Sequence, residues 1–190
     1  MSLRIIAGTW RGRKLAVPAG DATRPTADRT RETLFSMLVS RLGTFEGLKV
    51  ADLFAGSGAL GLEALSRGAA SCLFVDSDQA AIKALRTNVA SLDAQAQCDV
   101  RASSVMSLGI AKGALDLVFL DPPYGSGAGE VAIDKLARLG WINEATWVCL
   151  ETMANEEPQV RGFEAVADRK VGKARITLLR QAAPTTPPAA

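Results

Sequence analysis

A short segment, Asp121-Pro122-Pro123-Tyr124, is the part of this chain whose residue types are best suited to chemistry. It follows an apolar run from Leu115 to Leu120, which predicts a buried strand. The Asp121 carboxylate and the Pro122 carbonyl are hydrogen-bond acceptors, the two prolines restrict the backbone, and Tyr124 offers a flat face. Such a loop suits a planar group with an amino substituent, because two fixed acceptors can bind both amino hydrogens.

An amino nitrogen attached to a purine ring is a poor nucleophile, because its lone pair is delocalised into the ring. Two fixed acceptors favour a more pyramidal nitrogen, whose lone pair can then attack an electrophilic carbon. The chain contains no histidine, so imidazole bases and histidine-ligated metals are excluded. We therefore expect amine methylation by orientation rather than by a strong base, with Asp121, Pro122 and Tyr124 as the catalytic residues.

A second candidate site is the glycine-rich segment from Asp52 to Gly61. It joins a predicted strand, Val50–Phe54, to a predicted helix that begins at Ala59. The spacing of its glycines matches the G-x-G-x-x-G pattern of dinucleotide-binding loops. Asp76 ends the next predicted strand and could bind ribose hydroxyls. This pattern alone is compatible with either NAD or S-adenosylmethionine.

Two carboxylates favour S-adenosylmethionine as the cofactor. Asp52 precedes the glycines, where it could meet the amino-acid portion of this cofactor but would lie badly beside a pyrophosphate. Asp121 has no evident use in a dehydrogenase. After the third predicted strand, Ser104 and Val105 are expected beside the adenine. The predicted cofactor-binding residues are Asp52, Phe54, Ala55, Gly56, Gly58, Gly61, Asp76, Ser104 and Val105.

The composition predicts a globular protein with a single core. The chain has 190 residues, of which 48% are hydrophobic and 22% charged. Its three cysteines are scattered, which argues against a disulfide framework or a zinc site, and we expect no metal. No apolar run is long enough for a membrane helix, and the N-terminus lacks the apolar core of a signal peptide. We expect a cytoplasmic monomer.

Positive charge is concentrated near the N-terminus. Residues 1–31 carry seven basic and two acidic side chains, a net charge of +5, whereas the whole chain carries only +2. A basic segment on a mildly acidic body predicts a phosphate-rich partner such as RNA. The predicted RNA-binding residues are Arg4, Arg11, Arg13, Lys14, Arg24, Arg29 and Arg31.

The order of predicted elements indicates an α/β fold of the Rossmann-like type, with a mainly parallel sheet and helices on both faces. An N-terminal β-hairpin and a helix, capped by Thr26 or Asp28 and reaching Leu42, precede the alternating strands and helices. An antiparallel hairpin closes the chain. We expect residues 1–46 to form a basic extension packed on the core, residues 47–181 to form the catalytic domain, and residues 182–190 to be disordered.

These motifs resemble those of the bacterial 16S ribosomal RNA guanine-N2 methyltransferases that act on the small subunit. The resemblance covers residues 3–181 and rests on Arg4–Gly8, Arg24–Phe35, Asp52–Gly61 and Asp121–Tyr124. It implies a class I methyltransferase that uses S-adenosylmethionine to methylate one guanine of 16S RNA, in an assembled or partly assembled 30S subunit. One departure is Ser104, where the family usually has an acidic residue.

Other functions remain compatible with parts of the pattern. A DNA adenine-N6 methyltransferase or a protein glutamine-N5 methyltransferase would use the same Asp121 loop. However, the first usually carries a target-recognition insertion, and the second prefers Asn at position 121 and needs no basic arm. An NAD-dependent oxidoreductase would have only Tyr124 as its acid or base. A non-enzymatic RNA-binding factor would have no need of the intact set of acidic and glycine residues.

Overall fold

The computed structural model describes residues 3–18 and 25–182, and the remarks below concern this part of the chain. Its elements alternate between helix and strand as the sequence predicts. In chain order they are α1 (Pro25–Leu42), β1 (Lys49–Leu53), α2 (Ala59–Ser66), β2 (Ser71–Asp76), α3 (Gln79–Ser91), β3 (Cys98–Ala102), β4 (Leu117–Leu120), α4 (Ala128–Arg138), β5 (Trp147–Met153), β6 (Phe163–Val171) and β7 (Ala174–Gln181).

The seven strands form one sheet in the order β3-β2-β1-β4-β5-β7-β6. Strands β1 to β5 run parallel to one another, whereas β7 is antiparallel to both β5 and β6. The strand order reverses between β1 and β4, and ligands of open α/β sheets bind outside the carboxyl ends of the strands at such a point. We call this side of the sheet the carboxyl edge.

Two apolar layers cover the faces of the sheet. On one face, Phe35 of α1, Leu62 of α2 and Leu85 of α3 pack with Phe74 and Phe119. On the other, α4 contributes Ile133 and Leu136, which pack with residues next to those phenylalanines in the strands, such as Val75 and Leu120. Successive strand residues point to opposite faces, and both faces are covered, which is why the central strand β4 is apolar throughout. The predicted α/β class, with helices on both faces, is confirmed.

The N-terminal hairpin shares this core. Leu3, Ile5 and Leu15 are buried in the same layer as α1 and α2. The hairpin has one β-bridge, between Arg4 and Lys14, so it is less regular than the two strands expected. Further hydrogen bonds hold it together, such as that from Ile5 N to Arg13 O at 3.0 Å.

Helix α1 begins earlier than the sequence predicts. It starts at Pro25 rather than after a cap at Thr26 or Asp28. Proline is well suited to a first helical position, because its fixed φ matches the helix and the N–H it lacks would have no intrahelical partner there.

No helix among the described residues has the length and apolar character required to cross a bilayer. Apart from Ala182, the C-terminal segment expected to be disordered lies outside the described residues.

Candidate active site

Four carboxylates meet at the carboxyl edge because four strands end there. Asp52 is the penultimate residue of β1, Asp76 is the last residue of β2, and Asp121 follows β4 directly. Glu151 lies in β5, one residue beyond the pairing of Leu120 with Leu150. The sheet thus brings together three carboxylates that the sequence predicts for the site and one that it does not.

The glycine-rich segment turns sharply after β1. Phe54 has a φ of 60°, which is rare for a residue with a side chain, and Gly56 and Gly58 also have positive φ. The turn is fastened to β2, because Gly56 N donates to Asp76 Oδ2 at 2.8 Å and Ala55 N donates to Val75 O at 3.1 Å. Asp76 therefore fixes the loop, in addition to its predicted role toward ribose.

Two glycines of this segment are required by close packing. A Cβ atom on Gly58 would lie 2.3 Å from a methyl carbon of Leu85, and one on Gly61 would lie 2.4 Å from the ring of Phe74. Real carbon atoms do not approach so closely. Gly61 thus lets α2 rest against Phe74 and Cys72 of β2, whereas Gly58 leaves room for Leu85 of α3. The prediction that Gly61 lets the helix pack near the strand agrees with this geometry.

Asp52 lies beneath the loop and is only 1% exposed. Its Oδ2 accepts a hydrogen bond from Gly61 N in the first turn of α2, at 2.8 Å. Burial raises the pKa of Asp52 to about 8, and the negative charges of Asp121 and Asp76 act in the same direction. Burial and the neighbouring carboxylates thus both disfavour the ionised form of Asp52.

The residues predicted beside the adenine follow β3. Ser103 N donates to Asp76 O at 2.9 Å, which joins this segment to β2. The Ser104 hydroxyl oxygen accepts from Met106 N at 3.1 Å and caps a short 3-10 helix, Val105–Ser107. The side chain of Val105 is buried. Ser104 thus has a capping role in the fold, and its contact with a base stays a prediction.

The Asp121 segment is linked directly to the glycine-rich turn. Asp121 N donates to Leu53 O at 3.4 Å, and Pro122 is buried while Asp121 and Tyr124 reach solvent. The Tyr124 hydroxyl donates to Glu151 Oε1 at 2.7 Å, although the residue is 48% exposed overall. This arrangement leaves Asp121 and the ring of Tyr124 accessible at the carboxyl edge.

Asp121 and Glu151 influence each other's ionisation. Although Asp121 reaches solvent, the protein packed around its carboxyl group raises its pKa, and the nearby Glu151 charge raises it further. Burial likewise raises the pKa of Glu151, whereas the hydrogen bond from Tyr124 lowers it. Sequence reasoning missed Glu151. A signal existed, because Leu150-Glu151 repeats the pattern of an apolar strand followed by an acid seen at Val75-Asp76 and Leu120-Asp121.

The residues of the predicted RNA-binding set are spread over more than one surface. Arg11, Arg13 and Lys14 are exposed on the hairpin, as is Arg4, and Arg29 is exposed in the second turn of α1. Arg24 lies outside the described residues. Helix α2 begins at the carboxyl edge and runs toward the opposite edge of the sheet, where it ends at Ser66. The hairpin turn contacts Ser66, so the hairpin arginines are displaced toward that opposite edge.

Arg31 is a correction to that set. It is only 5% exposed, and its Nη2 donates to Arg4 O at 2.6 Å and to Asp28 Oδ1 at 3.2 Å. Burial lowers its pKa, while the Glu63 and Asp28 charges oppose that change. Its guanidinium thus stabilises the junction of α1 with the hairpin and cannot reach a phosphate at the surface.

The docking of the hairpin depends on two further residues that sequence reasoning missed. The fully buried Glu63 of α2 accepts hydrogen bonds from Ile6 N at 2.7 Å, Ala7 N at 3.0 Å and Arg67 Nε at 2.8 Å. The Asn88 amide of α3 donates to both Ala16 O and Ser57 O at 2.9 Å. Asn88 therefore connects the N-terminal segment to the glycine-rich loop.

In the described part of the chain, no group of three or more acidic or cysteine side chains is arranged to hold a metal ion.

Sequence comparison places this geometry in a known family. Residues 3–180 match the model of the family described as conserved hypothetical protein 95. A relative from Escherichia coli K12, ribosomal RNA small subunit methyltransferase D, is 44% identical over 151 residues, which are 79% of this chain and 74% of the relative. The protein of the same name from Haemophilus influenzae is 39% identical over 158 residues, covering 79% of this chain and 78% of the relative.

Solved structures agree with this placement. The yhhF protein of Escherichia coli, described as a candidate methyltransferase, superposes with a TM-score of 0.82 at 38% identity, over 96% of this chain and 99% of that one. Magnesium protoporphyrin IX methyltransferase from Synechocystis, solved with bound S-adenosylmethionine, gives a TM-score of 0.64 at 16% identity, over 86% and 87% of the two chains. The second similarity concerns the fold alone, which is that of the class I methyltransferases.

Proposed function

The chain belongs to the family described as conserved hypothetical protein 95, and from that premise we propose that it methylates the exocyclic N2 amino group of one guanine in small-subunit ribosomal RNA. Ribosomal RNA methyltransferase activity follows from its similarity to the small-subunit enzymes of Escherichia coli and Haemophilus influenzae. Its RNA substrate within the 30S subunit, its monomeric state and its cytoplasmic location remain predictions.

One observation carries the assignment of the site. The backbone of Asp121 is hydrogen-bonded to Leu53, directly before the glycine-rich turn, so the two candidate loops lie side by side at the carboxyl edge. In this proposal they form the two sides of one cleft. In the proposed complex, the Asp121 carboxylate and the Pro122 carbonyl accept hydrogen bonds from the two amino hydrogens of guanine. Tyr124 stacks on the base, which must leave its helical stack to enter the cleft.

The cleft has the charge that S-adenosylmethionine requires. When bound, this cofactor supplies an electrophilic methyl group on a positively charged sulfur, and it also carries an ammonium group. Burial raises the pKa of Asp52, and repulsion from the nearby carboxylates of Asp121 and Asp76 raises it further. A cationic ligand relieves that repulsion. The backbone at Gly56 leaves open space where a side chain would otherwise project, so a ligand can approach the turn.

The residues of the chain then account for the proton balance. Methylation of a neutral amino group gives a cationic, acidic nitrogen, which must lose one proton to yield N2-methylguanine. Asp121 lies where the amino hydrogens bind, and its raised pKa makes its carboxylate a better proton acceptor than an ordinary aspartate. Most of the acceleration is attributed to orientation and fixed acceptors, since the leaving proton needs no strong base.

The direct test is product identification. S-adenosylmethionine labelled in its methyl group is incubated with 30S particles that lack this modification, with protein-free 16S RNA, and with double-stranded DNA. Nuclease digestion and chromatography then separate N2-methylguanosine from N6-methyladenosine. We expect labelled N2-methylguanosine from ribosomal RNA, formed about 10²-fold or more slowly when Asp121→Ala replaces the native enzyme. Label on an adenine, in DNA or on a glutamine of a ribosomal protein would contradict the proposal.

A further inference from the structure

Two adjoining cavities among the described residues lie in a groove between α1 and the edge strand β6, outside the cleft described above. Their volumes are about 610 and 370 Å³, and they adjoin because both are lined by Thr33 and Arg169. The first continues along α1 to Arg41, and the second ends at the β6–β7 turn around Gly172. We call this continuous depression the α1–β6 groove.

The α1–β6 groove is positively charged. Arg29, Arg41, Arg169 and Lys170 line it, against the carboxylates of Glu32 and Asp168. Asp168 is already paired with Arg175 at 3.4 Å. Among the described residues, Arg29, Arg169 and Lys170 take part in none of the ion pairs. Cations that repel one another without a protein counterion favour an anionic ligand.

One end of the groove lies beside the predicted guanine site. Val171 of β6 and Met153 of β5 both pair with Ala174, so the β6–β7 turn lies where β5 ends, at the carboxyl edge. Glu151, which binds the Tyr124 hydroxyl, pairs with Ile176 in the same ladder. With two strand spacings between β5 and β6, Arg169 and Lys170 lie roughly 10 Å to the side of the β5 carboxyl end. An RNA strand whose base enters the cleft can therefore place a neighbouring phosphate beside Arg169 and Lys170.

We propose that the α1–β6 groove binds the phosphate backbone of the ribosomal RNA segment that flanks the target guanine, through Arg29, Arg169 and Lys170. This inference rests on the proposed function and adds a second contact surface to it. The groove reaches the reactive edge, whereas the hairpin arginines lie toward the opposite edge. It therefore positions the strand that carries the base, while the hairpin contacts more distant RNA.

Salt dependence of binding tests the groove. Affinity of the full-length protein for protein-free 16S RNA and for unmodified 30S particles is measured between low and moderate KCl, for the native chain and for the double variant R169Q/K170Q. Losing two phosphate contacts should reduce the slope of log K against log salt by about 1.4 to 1.8, at roughly 0.7 to 0.9 per contact. In turnover assays, the effect should fall mainly on KM for RNA.

The matched control is K112Q/R138Q, which removes the same charge from exposed positions. Arg138 ends α4 on the opposite face of the sheet, and Lys112 precedes β4 at its amino end. We expect the control to retain the native slope, and all variants to keep native thermal stabilisation by S-adenosylmethionine. An unchanged slope for R169Q/K170Q would overturn the groove proposal, as would an equal loss in the control. Weaker binding to 30S particles with native binding to free RNA would reassign the groove to a ribosomal protein.

The two levels of the proposal fail in different ways. If the native enzyme methylates no ribosomal RNA, then the proposed function is wrong whatever the slopes show. If the native enzyme gives N2-methylguanosine and R169Q/K170Q binds RNA like the native chain, only the groove assignment is lost.

Discussion

The hydroxyl of Tyr124 donates a hydrogen bond of 2.7 Å to Glu151 Oε1, and this contact joins the loop after β4 to the neighbouring strand β5. It restrains the side chain of a residue that is about half exposed. The same contact lowers the pKa of Glu151 against the effect of burial. The ring is therefore oriented before a base binds, so less side-chain conformational entropy is lost on binding.

The relative importance of the ring and its hydroxyl can be separated by two variants. Tyr124→Phe keeps the stacking face and removes one hydrogen bond, so we expect kcat/KM to fall by about 2- to 10-fold. Tyr124→Ala removes stacking worth about 1–3 kcal/mol, so we expect a fall of roughly 10- to 100-fold. Steady-state kinetics on 16S RNA provides the measurement. Equal losses in the two variants would show that the hydroxyl, not the ring, carries the effect.

Asp121 should give the reaction a pH dependence of defined sign. Its carboxylate must be ionised to accept the amino hydrogens, and its pKa is raised by the surrounding protein and by Glu151. Activity should therefore increase with pH through a range above the usual aspartate pKa and level off when Asp121 is ionised. Asp121→Asn should lower kcat by about 10²-fold or more and abolish this rise. A native pH profile in the variant would assign the titration to another group.

The sequence predicts the strand order only in part. Apolar runs, glycines and acids at strand ends are local patterns, and they correctly predict α2, α3 and the strands from β1 to β4. Strand neighbours are not local. Strand β7 lies between β5 and β6, so β6 is the edge strand and lies beside α1. As a result Arg29 and Arg169, which are 140 positions apart in the sequence, line the same groove. No periodicity in the sequence indicates that groove.

The prediction that Arg31 binds RNA is wrong for a different reason, because the sequence does contain the helical spacing that indicates its burial. Arg31 precedes Leu34 and Phe35 by three and four positions, so it lies on the apolar face of α1. Counting charge along residues 1–31 treated all seven cations alike, although helical spacing distinguishes a buried arginine from an exposed one. Arg29 is on another face and is exposed. Charge patterns therefore need to be sorted by helix face before an interface is inferred.

Asp52 should make the stability of the protein without ligand fall as pH rises. Its pKa in the folded state is about 8, above the value of an unfolded aspartate, so the folded state favours the protonated form. This contribution is complete below about pH 4 and is lost as pH rises through about 8. Asp52→Asn keeps an oxygen that can accept from Gly61 N but cannot ionise.

Urea unfolding at pH 5, 7 and 9 measures this effect. The native chain should lose more unfolding free energy between pH 5 and pH 9 than Asp52→Asn does, after the common change from other groups is subtracted. The variant should also gain less thermal stabilisation from S-adenosylmethionine, because one negative charge facing a cationic ligand is gone. Parallel pH profiles for the two proteins would contradict the assigned ionisation.

The N-terminal hairpin docks on α2 through a glycine that admits no side chain. Gly8 has a φ of +83°, and a Cβ atom there would lie 1.8 Å from Ser66 O. The same oxygen accepts from Thr9 N at 2.8 Å, and Ser66 Oγ accepts from Trp10 N at 2.9 Å. Gly12, in the same hairpin, has a similar φ of +80° but no atom within 4 Å of a Cβ. The two positions thus share a left-handed backbone that would strain any other residue, and they differ in what a side chain would contact.

Alanine at each position should separate strain from steric exclusion. Gly12→Ala should cost about 1–2 kcal/mol of unfolding free energy through the left-handed backbone alone. Gly8→Ala should cost at least about 3 kcal/mol, because the hairpin must also lift from Ser66 and lose the hydrogen bonds there. Urea unfolding compares the variants, and amide exchange at Thr9 and Trp10 reports local release of the hairpin. Equal destabilisation with protected amides in both variants would mean that the contact with Ser66 does not hold the hairpin to α2.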